Sequence, residues 1–102
     1  MEAKYWKEGT INFGEKPTNT TINVIFQSTE DIPDILDIRP ECGCTLVKYD
    51  EKNKTLTAVY RSKDIPYHLK KYGFYSVKKY ITIDYKNGEH DVLTLHGIIK
   101  DK

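Results

Sequence analysis

Apolar and polar residues alternate along this chain in short runs separated by polar turns. Ile22, Val24 and Phe26 alternate with Thr21, Asn23 and Gln27, a strand-like period that buries one face and that only Ile25 breaks. Residues 5–13 read as an earlier strand interrupted near Gly9, and Gly14 to Asn19 as a turn holding Pro17. Residues 28–31 form the next turn. Ile35, Leu36 and Ile38 lie in a third strand ended by Pro40, residues 45–49 extend again, and Asp50 to Lys54 is a polar turn. Leu56, Ala58 and Tyr60 alternate with Thr55, Thr57 and Val59, so both faces of that strand are partly covered. Residues 62–73 are the one long irregular stretch, read as a loop, with a short helical turn as the alternative. Tyr75, Val77, Ile81, Ile83 and Tyr85 then share one face, with Lys79 as the exception. Asn87-Gly88 predicts a two-residue type I′ hairpin with both residues at positive φ. The last strand, 89–99, carries Val92, Leu93, Leu95, Ile98 and Ile99.

About seven strands in one hundred residues predict an all-β protein, an immunoglobulin-like antiparallel β-sandwich forming a single domain over residues 1–102. Residue types agree: eleven isoleucines, five valines and ten threonines stand against two alanines and six leucines. β-Branched side chains lose rotamer freedom in helices and pack well on a pleated sheet. The disulfide that pins antibody sandwiches is excluded, because Cys42 and Cys44 are the only cysteines and lie too close in sequence to bridge two sheets.

Charge narrows the function. Sixteen basic and fifteen acidic residues leave a net charge of +1, which disfavours nucleic acid as a partner. The chain shows no secretion signal and no run long enough to span a membrane as a helix. The expected setting is a virion or the cytoplasm, a reducing compartment in which both thiols are free.

The segments Ile11-Asn12-Phe13-Gly14, Thr21 to Gln27, Ile35 to Thr45 (Ile-Leu-Asp-Ile-Arg-Pro-Glu-Cys-Gly-Cys-Thr) and Leu93-Thr94-Leu95-His96-Gly97-Ile98-Ile99 together carry a resemblance. Over roughly residues 9–99 the chain resembles a bacterial and phage domain family of undetermined function. That family is marked by a CGCT signature and is related to ASH, Hydin and major-sperm-protein-like immunoglobulin folds. Here Ser28-Thr29-Glu30-Asp31 stands where the family has an Asn-Thr-Gly turn, and Glu51-Lys52-Asn53-Lys54 where it has Pro-Gly. Many family members also carry a secretion signal. The resemblance implies a binding or scaffolding module and carries over no enzymatic activity.

The residues themselves offer little catalysis. Cys42 and Cys44 could give two thiolates to zinc, but the second Cys/His pair of a tetrahedral site is missing. A Cys42–Cys44 disulfide would close a very small ring suited to redox work, yet nothing electropositive adjoins the thiols in sequence. The favoured reading of Cys42, Gly43, Cys44 and Thr45 is structural: Gly43 turns where a Cβ would clash, and the cysteines pack inward beneath it. His90 and His96 lie about 20 Å apart on one strand, too far to share a ligand, and His68 stands elsewhere. No nucleophile–base grouping and no phosphate loop appears.

Lysines and aromatics interleave over Tyr67, His68, Leu69, Lys70, Lys71, Tyr72, Gly73, Phe74 and Tyr75, followed by Lys78 and Lys79. Such a stretch can track a nucleic-acid strand. A protein-contact loop fits the balanced charge better, with Tyr67, Lys70, Lys71, Tyr72 and Phe74 as contacts. Tyr5 and Trp6 either cap the core or dock on a partner. The expected protein is not an enzyme and uses no cofactor or metal. It docks on a larger protein assembly, specifically as a phage virion decoration or accessory head or tail protein. The alternatives are a binder that regulates a host protein and, more remotely, a thiol or zinc site at Cys42 and Cys44.

Overall fold

The computed structural model describes residues 3–101. Seven strands, β1 (Thr10–Pro17), β2 (Thr21–Gln27), β3 (Ile35–Pro40), β4 (Thr45–Asp50), β5 (Thr55–Arg61), β6 (Phe74–Tyr85) and β7 (His90–Lys100), form two sheets. One has the order β1-β7-β6-β3 and the other β2-β5-β4. All pairings are antiparallel except β1 with β7, which is parallel. The sheets stack face to face as an immunoglobulin-like all-β sandwich. Among the described residues no helix is long and apolar enough to cross a membrane.

The alternation read from the sequence becomes the core. Ile22, Val24 and Phe26 of β2 and Leu56, Ala58 and Tyr60 of β5 meet Val77, Ile81, Ile83 and Tyr85 of β6 and Leu93, Leu95 and Ile99 of β7. Ile25, which broke the pattern, points to solvent. In β7 the inward positions are Asp91, Leu93, Leu95, Gly97 and Ile99, and Val92 is exposed.

Three local expectations are corrected. The first strand is Thr10–Pro17, not residues 5–13, and Gly14 does not open a turn. Gly14 (φ 81°) sits in a bulge, where the β1–β7 register shifts between Asn12 and Glu15, and Asn12 Oδ1 accepts the Gly14 N–H at 2.8 Å. Pro17 fits within β1 because that strand is a sheet edge. The β6–β7 hairpin is not a type I′ turn: Gly88 has positive φ (90°) and Asn87 does not. Gly88 N–H donates to the Tyr85 carbonyl and Tyr85 N–H to that of Glu89, the three-residue loop with a glycine bulge. Asn87 uses its side chain instead, accepting the Glu89 N–H at 2.9 Å. Finally, residues 67–72 form a 3-10 helix rather than a loop.

Gly97 is required by space, not by φ. A Cβ there would lie 2.3 Å from Phe13 Cε1 and 2.7 Å from the Gly14 carbonyl oxygen. The bare backbone of β7 thus receives the Phe13 ring, which in turn stacks near Tyr60 of the opposite sheet at 6.4 Å between centroids. Phe13 could rotate away from a new methyl, but the Gly14 carbonyl is fixed in the bulge. Gly97→Ala should therefore lower unfolding free energy by about 1–3 kcal/mol in chemical denaturation, the range of overpacked cores. An unchanged midpoint would show that β1 shifts freely along β7.

Candidate functional site

The 3-10 helix Tyr67–Tyr72 owes its ends to two residues. Pro66 (φ −54°) precedes it and accepts the Leu69 N–H at 2.8 Å, and Gly73 ends it in the left-handed region (φ 75°). Ile65 is buried and Leu69 half-buried, so the segment is anchored on its inner side. Tyr75 at the start of β6 donates its hydroxyl to the Lys63 carbonyl at 3.1 Å, fastening the loop before the helix. The outer side carries Tyr67, His68, Lys70, Lys71 and Tyr72, continued by Phe74. Tyr67 is 91% exposed, Tyr72 57% and Phe74 43%. The Lys71 ammonium lies 5.1 Å from the Tyr72 ring centroid. The candidates from this stretch are thus all exposed and adjoin one another along the helix and the start of β6.

Tyr5 and Trp6 do not. Both are buried, and as contact candidates they are corrected: they close the other end of the sandwich. Asp91, which faces inward on β7, accepts hydrogen bonds from Lys4 N–H (2.9 Å), Tyr5 N–H (3.2 Å) and the Tyr85 hydroxyl (2.7 Å). Tyr85 in turn accepts the Trp6 indole N–H at 2.8 Å. Burial, followed by the Asp91 contact, raises the Tyr85 phenol above its ordinary pKa, so it stays a donor. The same segment reaches the second sheet through Lys7 N–H to the Gln27 carbonyl and Thr29 N–H to the Tyr5 carbonyl, beside a Trp6–Ser28 bridge. At the surface Glu89 accepts from the Lys4 ammonium (2.7 Å), the Tyr5 hydroxyl and the Asn87 amide (2.7 Å). Asp91 and Glu89 were missed in the sequence. The available signal was an acidic residue in the apolar row of a strand, which requires buried donors.

The segment Cys42–Thr45 joins β3 of one sheet to β4 of the other. The free-thiol expectation is corrected: Cys42 and Cys44 are joined by a disulfide, their Cα atoms 5.3 Å apart. Gly43 is also corrected, because a Cβ there meets nothing within 4 Å and its φ is not positive. The turn points outward, so nothing crowds its tip. The inward packing holds in part: Cys44 lies against the core, both cysteines are half-buried, and Thr45 is buried. Arg61, Lys63 and Lys79 line the same open depression as the two cysteines. His68 is exposed on the 3-10 helix, and His90 and His96 lie on the outward side of β7. Among the described residues no three His, Cys, Asp or Glu side chains are placed to hold a metal ion.

Comparison with protein-family models, with curated proteins and with solved structures finds no match.

Two outcomes follow from the buried carboxylate and its surface neighbour. Asp91→Asn replaces an acceptor-only group with one that must turn N–H donors toward N–H donors. It should lower stability by about 2–3 kcal/mol, a hydrogen bond to a charged group being worth about 1.5–3 kcal/mol. It should also red-shift the emission of Trp6, the only tryptophan. Acid acts through Glu89, whose carboxyl is held at about 2 by the Lys4 ammonium and then the Tyr5 hydroxyl. Its folded value is below its ordinary 4.5, so its stabilisation is complete above that value and is lost as pH falls toward 2. Denaturant midpoints should drop across that window, and the drop should be smaller in Glu89→Gln; equal drops would assign the acid sensitivity elsewhere.

Proposed function

We propose that this protein is a non-enzymatic structural and interaction module that docks on a larger protein assembly through the surface formed by Tyr67, Lys70, Lys71, Tyr72 and Phe74. The observation that carries the reading is the exposure of three aromatic side chains, Tyr67 and Tyr72 on the short helix and Phe74 at the start of β6, next to buried Ile65 and half-buried Leu69. Tyrosine supplies large contact area at low entropic cost, and a preorganised segment loses little freedom on docking. The two lysines at the helix end favour a partner surface with acidic groups. The absence of any nucleophile–base grouping from the sequence, and the family resemblance, support a scaffolding role over catalysis. A phage virion decoration or an accessory head or tail protein is the specific form proposed.

Purification from the native source, with sizing and mass spectrometry of co-eluting chains, tests the reading. Co-elution with a large particle at fixed stoichiometry supports it. A lone 11.9 kDa species would shift weight to a regulator of a single host protein. Tyr67→Ala/Tyr72→Ala should abolish co-elution while changing stability by less than about 0.5 kcal/mol, since both side chains are solvent-exposed. Retained co-elution in that variant would move the docking surface elsewhere.

A further inference from the structure

We infer that Cys42 and Cys44 form a thiol–disulfide exchange site for acidic low-molecular-weight thiols and disulfides, a role separate from docking and independent of it. Two cysteines separated by one residue are already bonded to each other, in a turn whose tip is open to solvent. The one cation close in sequence, Arg39, is paired with Asp84, and the fold brings others to the cysteines. Arg61 comes from the end of β5, Lys63 from the loop after it, and Lys79 from β6 in the other sheet, all lining the depression that holds both cysteines. Among the described residues none of the three cations lies in a salt bridge. Two carboxylates lie close in sequence, Glu41, which accepts the Tyr80 N–H, and Asp64, which accepts the Asn19 amide at 2.6 Å; neither is among the residues that line the depression. Lys79 is the residue that interrupts the apolar row of β6, and this position accounts for it.

Cationic surroundings lower a thiol's pKa and raise its reactivity at neutral pH. Backbone geometry assigns the two cysteines different parts. The Cys44 N–H points at Cys42 Sγ, 3.3 Å away, and would stabilise a thiolate there. The Glu41–Tyr80 backbone hydrogen bond continues the β3–β6 ladder, setting Cys42 level with Lys79. Cys44 packs against the core and is the resolving partner.

In the reduced protein the Cys42 thiolate attacks one sulfur of a substrate disulfide R–S–S–R. A Cys42–S–S–R bond forms, and the first RS⁻ leaves and takes a proton from water. Cys44 then loses its proton and attacks Cys42 Sγ. The Cys42–Cys44 bond forms and the second RS⁻ leaves and is protonated. Two electrons and two protons pass from the protein dithiol to the substrate, giving two RSH. The reverse sequence, with RSH as the reductant, reopens the bond. Carboxylates on R are drawn by Arg61, Lys63 and Lys79.

The test equilibrates the full chain at pH 7 in mixtures of reduced and oxidised glutathione, traps thiols with acid and alkylation, and counts them by intact mass. Reversible conversion between zero and two alkylated thiols across the series is expected. A bond that stays closed at every ratio, as a structural disulfide would, overturns the proposal, and so does a pair that stays reduced at every ratio. In the reduced protein, Cys42 should react with neutral iodoacetamide faster than Cys44. Arg61→Gln/Lys79→Gln should slow Cys42 by about threefold for each unit its pKa rises, thiolate loss being partly offset by nucleophilicity. High salt applied to the unaltered protein should slow Cys42 in the same direction by screening the exposed cations, whether or not the variant folds. A Cys42 rate insensitive to salt overturns the assignment of the cations.

Discussion

One buried carboxylate fastens the end of this sandwich that carries the only tryptophan. Asp91 stands in the inward row of β7 between the hairpin and Leu93, where an unpaired charge would cost several kilocalories. It is held there by two backbone N–H groups of the segment before β1 and by the Tyr85 hydroxyl. The segment is thereby drawn across the open end of the sheets, and Trp6 and Tyr5 fall into the core, Tyr5 edge-on to Tyr85 at 5.1 Å. The further hydrogen bonds to Gln27 and Thr29 tie the same few residues to the second sheet. A backbone segment with no ladder of its own thus has its polar groups satisfied by both layers, as burial demands.

The long sides are held differently. β1 lies parallel to β7 on an edge, and its closeness depends on Gly97 offering no side chain to Phe13. The bulge at Gly14 lets β1 resume pairing beyond that contact. By register, the end of β1, the start of β6 and the end of β7 lie together, Pro17 opposite Lys100 and Lys100 opposite Phe74. The 3-10 helix projects from that end, away from the Asp91 clasp. A docking surface placed there is insulated from the tightest packing, and binding need not disturb the core.

The cysteine turn lies further along β6, five residues from Phe74. It crosses from one sheet to the other at the level of Lys79 and Arg61. A change in its bonding would act on the connection between β3 and β4, while β5, β6 and β7 remain paired by their own ladders. Sheet crossovers are places where groups from both layers converge, which is how three cations remote in sequence come to one depression.

By itself the sequence determined the strands and the inward rows, because a period of two is a local property. Ile22, Val24 and Phe26, or Tyr75, Val77, Ile81, Ile83 and Tyr85, cannot be buried on one face in any other element. It also marked the exposed aromatic stretch, since Pro66 and Gly73 bound it and its polar residues leave little to bury. What it left open were positions whose meaning depends on a distant partner. Gly14 resembles a turn residue until the parallel ladder places it in a bulge, and Asn87 resembles a left-handed turn position until its side chain is seen to accept the Glu89 N–H. Tyr5 and Trp6 are equally apt for a core or a partner until Asp91 supplies acceptors 86 residues away. Cys42 has only Arg39 near it in sequence, and it takes the β3–β6 pairing to bring Lys79 and the stacking of the two sheets to bring Arg61 to the same depression. Side-chain periodicity is local and can be read along one strand. Electrostatic surroundings and buried hydrogen-bond partners are set by which strands the fold brings together, and those belong to the tertiary structure alone.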